Sequence, residues 1–451
     1  MNRLGWRRML AFASGDFAFN LYWQSVSLYL LFYYTEAMGI SAATAGFIYM
    51  IASICDGLVD PLIGCAADRT RTRWGRYRPW LLVGAVPLAI GFGLLYFHPP
   101  LEGGALVAAV AAAHLLFRSL YAAVNVPYAA LTASITRSAA ERATIAGMRM
   151  VFGTGAYVVV ALSTQPIARV VTGSRDGAFG FFVAACLFAL IAAPIMLMVF
   201  AISREREAGP APAGRSARHW QAVFRNRAFW TLVLAGTVLI ACYTIYAKSV
   251  LYYFKYVLRD ESGAPTALAL AGAIGLVVVP LWMLIERRLG KRAIWFVSCA
   301  IFGVGLIAFA LFPPGAGWPI RLFLIAMQAG FLGINFAYWG LLPDTVEYGE
   351  WRSGERAEGL VFGLALLFQK IALGLGAGAF GLALGRIGYV ANQPQTPAAL
   401  AGMRAVMVLL PLTGAALSAL ILWFNPLRRG VHDTIVAEIA ARGAAQGTAR
   451  C

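Results

Sequence analysis

The segment Cys55-Asp56-Gly57-Leu58-Val59-Asp60-Pro61 sets two carboxylates inside an apolar stretch. Gly64, Asp68 and the run Arg69-Thr70-Arg71-Thr72-Arg73-Trp74-Gly75-Arg76-Tyr77-Arg78-Pro79 follow it. Asp56 and Asp60 are four residues apart, so in a helix they project from one face, one turn above the other. That face cannot look at lipid. Ionised side chains in hydrocarbon are costly and turn inward, to a bundle interior or a watery cavity that serves ion or proton traffic. The competing reading is a pair of structural carboxylates neutralised by basic neighbours on adjacent helices.

Working outward, the 451 residues are 60% apolar and only 13% charged, with a mean hydropathy of +0.72. Such a chain is a polytopic membrane protein. Apolar segments of helix-spanning length recur about twelve times. They are read near 11–36, 41–66, 79–97, 105–135, 146–170, 178–201, 228–257, 266–286, 292–312, 319–345, 359–388 and 402–425. No period-two alternation suggests an outer-membrane barrel. The first apolar run follows Arg3, Arg7 and Arg8, contains Asp16 and continues past Tyr34, so it reads as a first span rather than a cleaved signal.

The net charge of +17 lies in short loops between greasy segments, which argues against nucleic acid and for topology. With the N-terminus cytoplasmic, 26 Lys or Arg fall in inner loops and termini, and four (Arg169, Arg175, Arg259, Arg386) in outer loops. Both termini are therefore expected in the cytoplasm, and the protein in the inner membrane. The longest polar interruption, 204–227, divides a first half (1–203) from a second (228–426) followed by a tail (427–451). Within it, Trp220 to Phe224 suits a short surface helix, and Val431 to Ala441 has the spacing of another. Asp68-Arg69 then Gly75-Arg76, and Glu286-Arg287-Arg288 then Gly290-Lys291-Arg292, echo one another after the second and eighth spans, as in a duplicated transporter. The six cysteines show no metal or disulfide spacing and read as small core residues.

Polar residues inside the spans sketch a cavity. The first span carries Asp16, Asn20 and Tyr22-Trp23; the fourth carries Arg118, Tyr121, Asn125 and Tyr128 on one face; Arg149 opens the fifth. Arg149 is placed to balance Asp16, Asp56 or Asp60. The second half offers Tyr243, Tyr246, Lys248, Gln328, Asn335, Tyr338, Trp339 and Gln369, with Lys370 as the ionisable group deepest in an apolar span. Aromatic faces with acid and amide partners suit a polyhydroxylated ligand. His114 is read as a packed histidine.

At these residues the chain resembles the glycoside-pentoside-hexuronide:cation symporters, the melibiose-permease-like branch of the major facilitator superfamily. The resemblance runs from Gly15-Asp16-Phe17 to about Pro426 and rests on Tyr33-Tyr34-Thr35-Glu36, Asp56 to Pro61 with the loop to Trp80, Asn125-Val126-Pro127-Tyr128, Tyr252-Tyr253-Phe254, Asp344 to Trp351, and Gly354 to Gly359. It implies an all-α fold of twelve transmembrane helices in two six-helix halves. It also implies transport of a sugar or glycoside coupled to H⁺, Na⁺ or Li⁺ by alternating access, with no cofactor beyond the ion.

By resemblance, Asp56, Asp60 and Asn125 form the cation site, with Asp56 and Asp60 as metal ligands only if Na⁺ is the ion. Asp16, Tyr121, Asn125, Tyr128, Arg149, Trp339 and Lys370 contribute to the sugar cavity. Relative to melibiose permease, Asn125 replaces an aspartate, Ala122 a threonine and Ser53 an arginine. A site that has lost a charge and a hydroxyl favours H⁺, for which one buried carboxylate is enough. Arg76 and Arg78 in one half, and Asp344, Glu347 and Glu355 in the other, are expected to close the cytoplasmic side as a gate. Membrane lipid surrounds the protein, and no nucleic acid or obligate protein partner is expected. A lysolipid or amphiphile carrier is the alternative within the superfamily. A polytopic enzyme is remote, since no metal-ligand histidine cluster, nucleophile elbow or phosphate loop is present.

Overall fold

The computed structural model describes residues 5–135, 138–203, 205, 217–428 and 430–448. Arg3, the linker positions 204 and 206–216, and Cys451 lie outside the described residues. The remainder is helical, and among the described residues no β-strand forms.

A short surface helix, α1 (Trp6–Ala13), breaks at Ser14 into α2 (Gly15–Ser25), which continues through two π-helical turns, Val26–Leu30 and Tyr33–Ala37. Next come α3 (Ala42–Arg69), α4 (Arg78–Leu95), α5 (Gly103–Ile135), α6 (Ala139–Thr172) and α7 (Ala178–Ile202). The expected surface helix at Trp220 is α8 (Ala217–Phe224). It leads to α9 (Arg227–Tyr252), which ends in a π-helical turn, Tyr253–Leu258. The eighth span is broken at Ile274 into α10 (Gly263–Ala273) and α11 (Gly275–Leu289). The chain closes with α12 (Lys291–Leu311), α13 (Trp318–Ser353), α14 (Glu358–Arg386), α15 (Pro397–Trp423) and the tail helix α16 (Val431–Thr448).

Local chemistry sets these limits. Ser41, Asn226 and Thr396 cap α3, α9 and α15 by accepting from the backbone N–H three residues on. Gly173 and Gly354 stop α6 and α13 in the left-handed region, at φ 76° and 73°. α13 runs past its expected end near 345, through Pro343 and Gly349, and stops only where Gly354 takes the left-handed region. Among the described residues, eleven helical segments are long and apolar enough to cross a membrane, and Gly15 to Ala37 adds a stretch of spanning length interrupted by its π-turns. Among the cysteines, Cys299 is buried but Cys65 is exposed on α3, so the latter is not a core residue.

The helices before and after the linker pack against each other mainly through α3 with α14 and α6 with α10. Small residues make the first contact possible. A Cβ built on Gly381 would stand 2.2 Å from the Ala42 carbonyl oxygen, and one on Gly374 2.9 Å from that of Met50. The glycines bring the two backbones together from their outer ends down to Asp60 and Lys370, where the site begins.

Candidate functional site

Asp56 and Asp60 do face inward on one side of α3, and both meet Lys370 from α14. Its Nζ lies 2.9 Å from Asp56 Oδ2 and 2.5 Å from Asp60 Oδ2. Arg118 of α5 reaches Asp56 from the other side, with Nη1 3.3 Å from Oδ2 and Nη2 3.4 Å from Ser53 Oγ. Two carboxylates are thus balanced by two cations. Each still keeps one buried oxygen, Oδ1, with no hydrogen-bond donor among the described residues.

Arg118 lies over the rings of Trp23 and Tyr49, at 5.1 and 5.5 Å, and its Nε donates to His114 Nε2 at 3.4 Å. His114 is fully buried between Tyr34 and Tyr49, so it packs, but it also orients the arginine. The sequence assigned Arg118 to the polar face without a partner. Its acceptor lies 62 positions away, a distance only the fold can close.

A second cluster forms where α2, α5 and α6 meet. Arg149 grips both oxygens of Asp16, through Nε to Oδ2 and Nη2 to Oδ1, and donates Nη1 to Thr132 Oγ1 at 2.8 Å. Of the three carboxylates considered for Arg149, the structure gives it Asp16. Tyr128 donates to Asp16 Oδ2 at 2.7 Å and stands 3.0 Å from the Phe12 carbonyl oxygen, while its ring lies 5.1 Å from the guanidinium. Tyr121 packs edge-on against Phe19 and at a tilt against Trp23 and Phe117, between the two clusters. Asn125 and Trp339 are half-buried and have no hydrogen-bonding partner among the described residues; Trp339 touches Tyr338 edge-on.

Two corrections concern lysines. Lys370 does not stand as a free cavity group; it ties the two halves at the carboxylate pair. Lys248, not Lys370, is the deeper cation, at 6% exposure, with its ammonium 4.4 Å from the Tyr49 ring and donating to the Ser27 carbonyl. The π-turn after Ser25 leaves backbone carbonyls short of helical partners, which gives Lys248 its acceptor.

The expected cytoplasmic gate residues are not brought together in this arrangement. Backbone N–H groups of Arg76, Tyr77 and Arg78 hold the Glu205 carboxylate at 2.7, 2.8 and 2.7 Å. Asp344 binds Lys291 at 2.8 Å, Glu347 binds His432 of α16, and Glu355 lies 3.7 Å from His219. None of these contacts joins the two halves directly, Glu205 and His219 being residues of the linker. A further cross-half polar tie sits at the other end of the bundle, where Glu36 accepts from Lys255 and Tyr256, both at 2.6 Å, and from Tyr389. Lys255 also reaches Asp176 and Asn392. Sequence reasoning noted Tyr33 to Glu36 and Tyr252 to Phe254 as motifs without seeing that they meet.

The chain matches the family described as "MFS/sugar transport protein" over residues 11–429. It is 31% identical to the isoprimeverose transporter of Lactiplantibacillus pentosus, covering 94% of this chain and 89% of that one. It is 30% identical to the glucuronide carrier protein homolog of Escherichia coli, covering 98% and 96%. In fold it is similar to the crystal structure of the nucleoside transporter NupG, with a TM-score of 0.65 at 12% identity, over 93% of this chain and all of that one.

Proposed function

The chain belongs to the MFS/sugar transport protein family, and we propose that within it this protein is an H⁺-coupled symporter of a sugar or glycoside that works by alternating access. Lys370 carries the choice of ion. It already occupies Asp56 and Asp60 from the opposite half, and Arg118 supplies a second cation. A Na⁺ ion would have to displace the ammonium and then find oxygen ligands where Ala122 has no hydroxyl and Asn125 no charge. A proton needs only a carboxylate oxygen. Neutralising either aspartate also weakens its bond to Lys370, so proton arrival loosens a tie between the halves. Coupling is then the difference in ion and sugar affinity between the two conformations.

The substrate is assigned to Asp16, Arg149 and Tyr128, with Tyr121, Asn125 and Trp339 as further contacts. Carboxylate and guanidinium bond hydroxyls, and the rings stack on C–H faces. Arg76, Arg78, Asp344, Glu347 and Glu355 are proposed to pair across the halves only in the opposite conformation, when the face that bears them closes. One observation favours an acidic sugar over a neutral one. Arg118 and Lys248 both lie over the Tyr49 ring, and with Lys370 three cations serve the two carboxylates Asp56 and Asp60; a substrate carboxylate or sulfonate would offset the surplus.

The test is uptake of labelled glycosides, pentoses and uronic acids into vesicles, with pH and Na⁺ gradients imposed separately. Accumulation driven by the pH gradient and lost in Asp56→Asn is expected. Na⁺-driven accumulation would overturn the choice of ion, and no sugar uptake under either gradient would overturn the substrate class in favour of an amphiphile.

A further inference from the structure

On the face that carries the basic loops, where α11 turns into α12 beside the end of α15, a cavity of about 530 Å³ opens. Leu289, Phe296 and Trp423 form its apolar wall, and Lys291, Arg292 and Arg428 face Glu286 and Asp344 around its rim. Asp344 is already engaged, since Lys291 Nζ lies 2.8 and 3.0 Å from its two oxygens. That leaves two guanidiniums against Glu286.

Arg292 is held in place. Its Nη2 donates to the Trp423 carbonyl at 2.8 Å, and its carbon lies 5.7 Å from the Phe296 ring. Its Nε is buried and has no acceptor among the described residues. Neither Arg292 nor Arg428 forms an ion pair with a carboxylate among those residues, and the charge of Arg428 acts against that of Arg292. Two like charges side by side, one with a buried unmet donor, are costly unless an anion completes them.

The surroundings say where the anion comes from. Trp423 is 62% and Leu289 46% exposed, and Leu420 and Val304 continue an exposed apolar surface along α15 and α12. An indole at this depth marks the membrane interface. We propose that the cavity binds the headgroup of an anionic phospholipid of the cytoplasmic leaflet, its phosphate between Arg292 and Arg428 and its chains along α12 and α15. Basic pockets between helices on this side of a membrane suit such headgroups, and paired guanidiniums suit phosphate. With Glu286 counted, the free rim keeps one excess positive charge, which an anionic lipid neutralises and a zwitterionic one does not. This site is independent of the transport reading.

The test uses the full chain purified in detergent, with the thermal unfolding midpoint followed as phosphatidylglycerol, phosphatidylethanolamine or inorganic phosphate is added. For the wild type, phosphatidylglycerol should raise the midpoint saturably and more than phosphatidylethanolamine, and phosphate should do nothing. In Arg428→Gln, which removes an exposed side chain without disturbing the fold, the half-saturating lipid concentration should rise on the order of five-fold. In Arg292→Gln/Arg428→Gln the selectivity for phosphatidylglycerol should vanish. Equal response to the two lipids, the same effect from phosphate, or an unchanged half-saturation in Arg428→Gln would each overturn the proposal.

Discussion

Lys255 Nζ, on the π-helical end of the seventh span, lies 2.6 Å from Glu36 Oε2 on the π-helical end of the first. The Glu36 side chain is fully buried, and its carboxylate takes donors from Tyr256 and Tyr389 as well. Beside it, Thr35 Oγ1 of the residue before Glu36 and Tyr252 OH are 2.7 Å apart. This end of the bundle is tied across the halves. At the other end the side chains of Asp16, Arg149, Asp60 and Lys370 retain between 17% and 25% exposure. Side-chain bonds thus join the halves at the Glu36 end, while the charged site keeps partial exposure.

If Glu36 is the outer latch, removing its charge should let that end open more often. Glu36→Gln keeps the shape but weakens the bond to Lys255. A charge-assisted hydrogen bond contributes about 1.5–3 kcal/mol, so deuterium uptake over residues 26–37 and 253–258 should accelerate about ten-fold or more. Uptake of deuterium within two-fold of the wild type over both segments would show that the tie does not hold the end shut.

Arg149 grips Asp16 through two nitrogens while a third reaches Thr132. Lysine keeps the charge but not the planar fork. Arg149→Lys should therefore raise the KM for sugar uptake by about ten-fold or more with the protein still folded, and Tyr128→Phe, losing one bond to Asp16, by less. An unchanged KM in Arg149→Lys would place the sugar elsewhere.

Much of this was legible in the chain. Apolar runs of spanning length locate most of the helices to within a few residues, though α6 begins earlier and α13 ends later than expected, and Asp56 and Asp60 declare their shared face by a spacing of four. What escaped were partners. Helical spacing says which residues share a face of one helix but not which helix stands opposite. So Arg118 was placed on the right stripe without Asp56, and Lys370 was read as a cavity residue when it bridges two carboxylates. Lys248 was named without a partner, because its acceptors are backbone carbonyls beside a π-turn, which side-chain patterns do not mark. The basic-face gate was inferred from charges on facing loops, whereas here Glu205 takes the backbone N–H groups of Arg76 and Arg78, and Asp344 and Glu347 meet Lys291 and His432.

The bridge from Lys370 predicts a dissociation between stability and transport. Lys370→Met leaves Asp60 without its cation, and breaking a buried pair by removing one partner costs about 3–5 kcal/mol, less here because both groups are partly exposed. The unfolding midpoint should fall. Adding Asp60→Asn removes the uncompensated charge and should restore most of that loss, yet proton-driven accumulation should stay absent in the double variant. A double variant that accumulates sugar normally would show that the pair is structural.

The approach of α3 to α14 can be tested with two glycines one turn apart that ask opposite things of the same substitution. A methyl group on Gly381 would lie 2.2 Å from the Ala42 carbonyl oxygen, more than an ångström inside ordinary contact, and the obstacle is backbone that cannot rotate away. One on Gly385 would meet the Ala43 methyl at 3.7 Å, an ordinary contact. Gly385→Ala should be neutral or slightly stabilising, since alanine is favoured over glycine in a helix by up to about 1 kcal/mol. Gly381→Ala should instead lever the outer ends of α3 and α14 apart, speeding deuterium uptake in the latch segments and lowering net uptake of sugar. Because the outer-closed arrangement needs the two backbones in contact at Gly381, equal behaviour of the two variants would mean that closure does not depend on this contact.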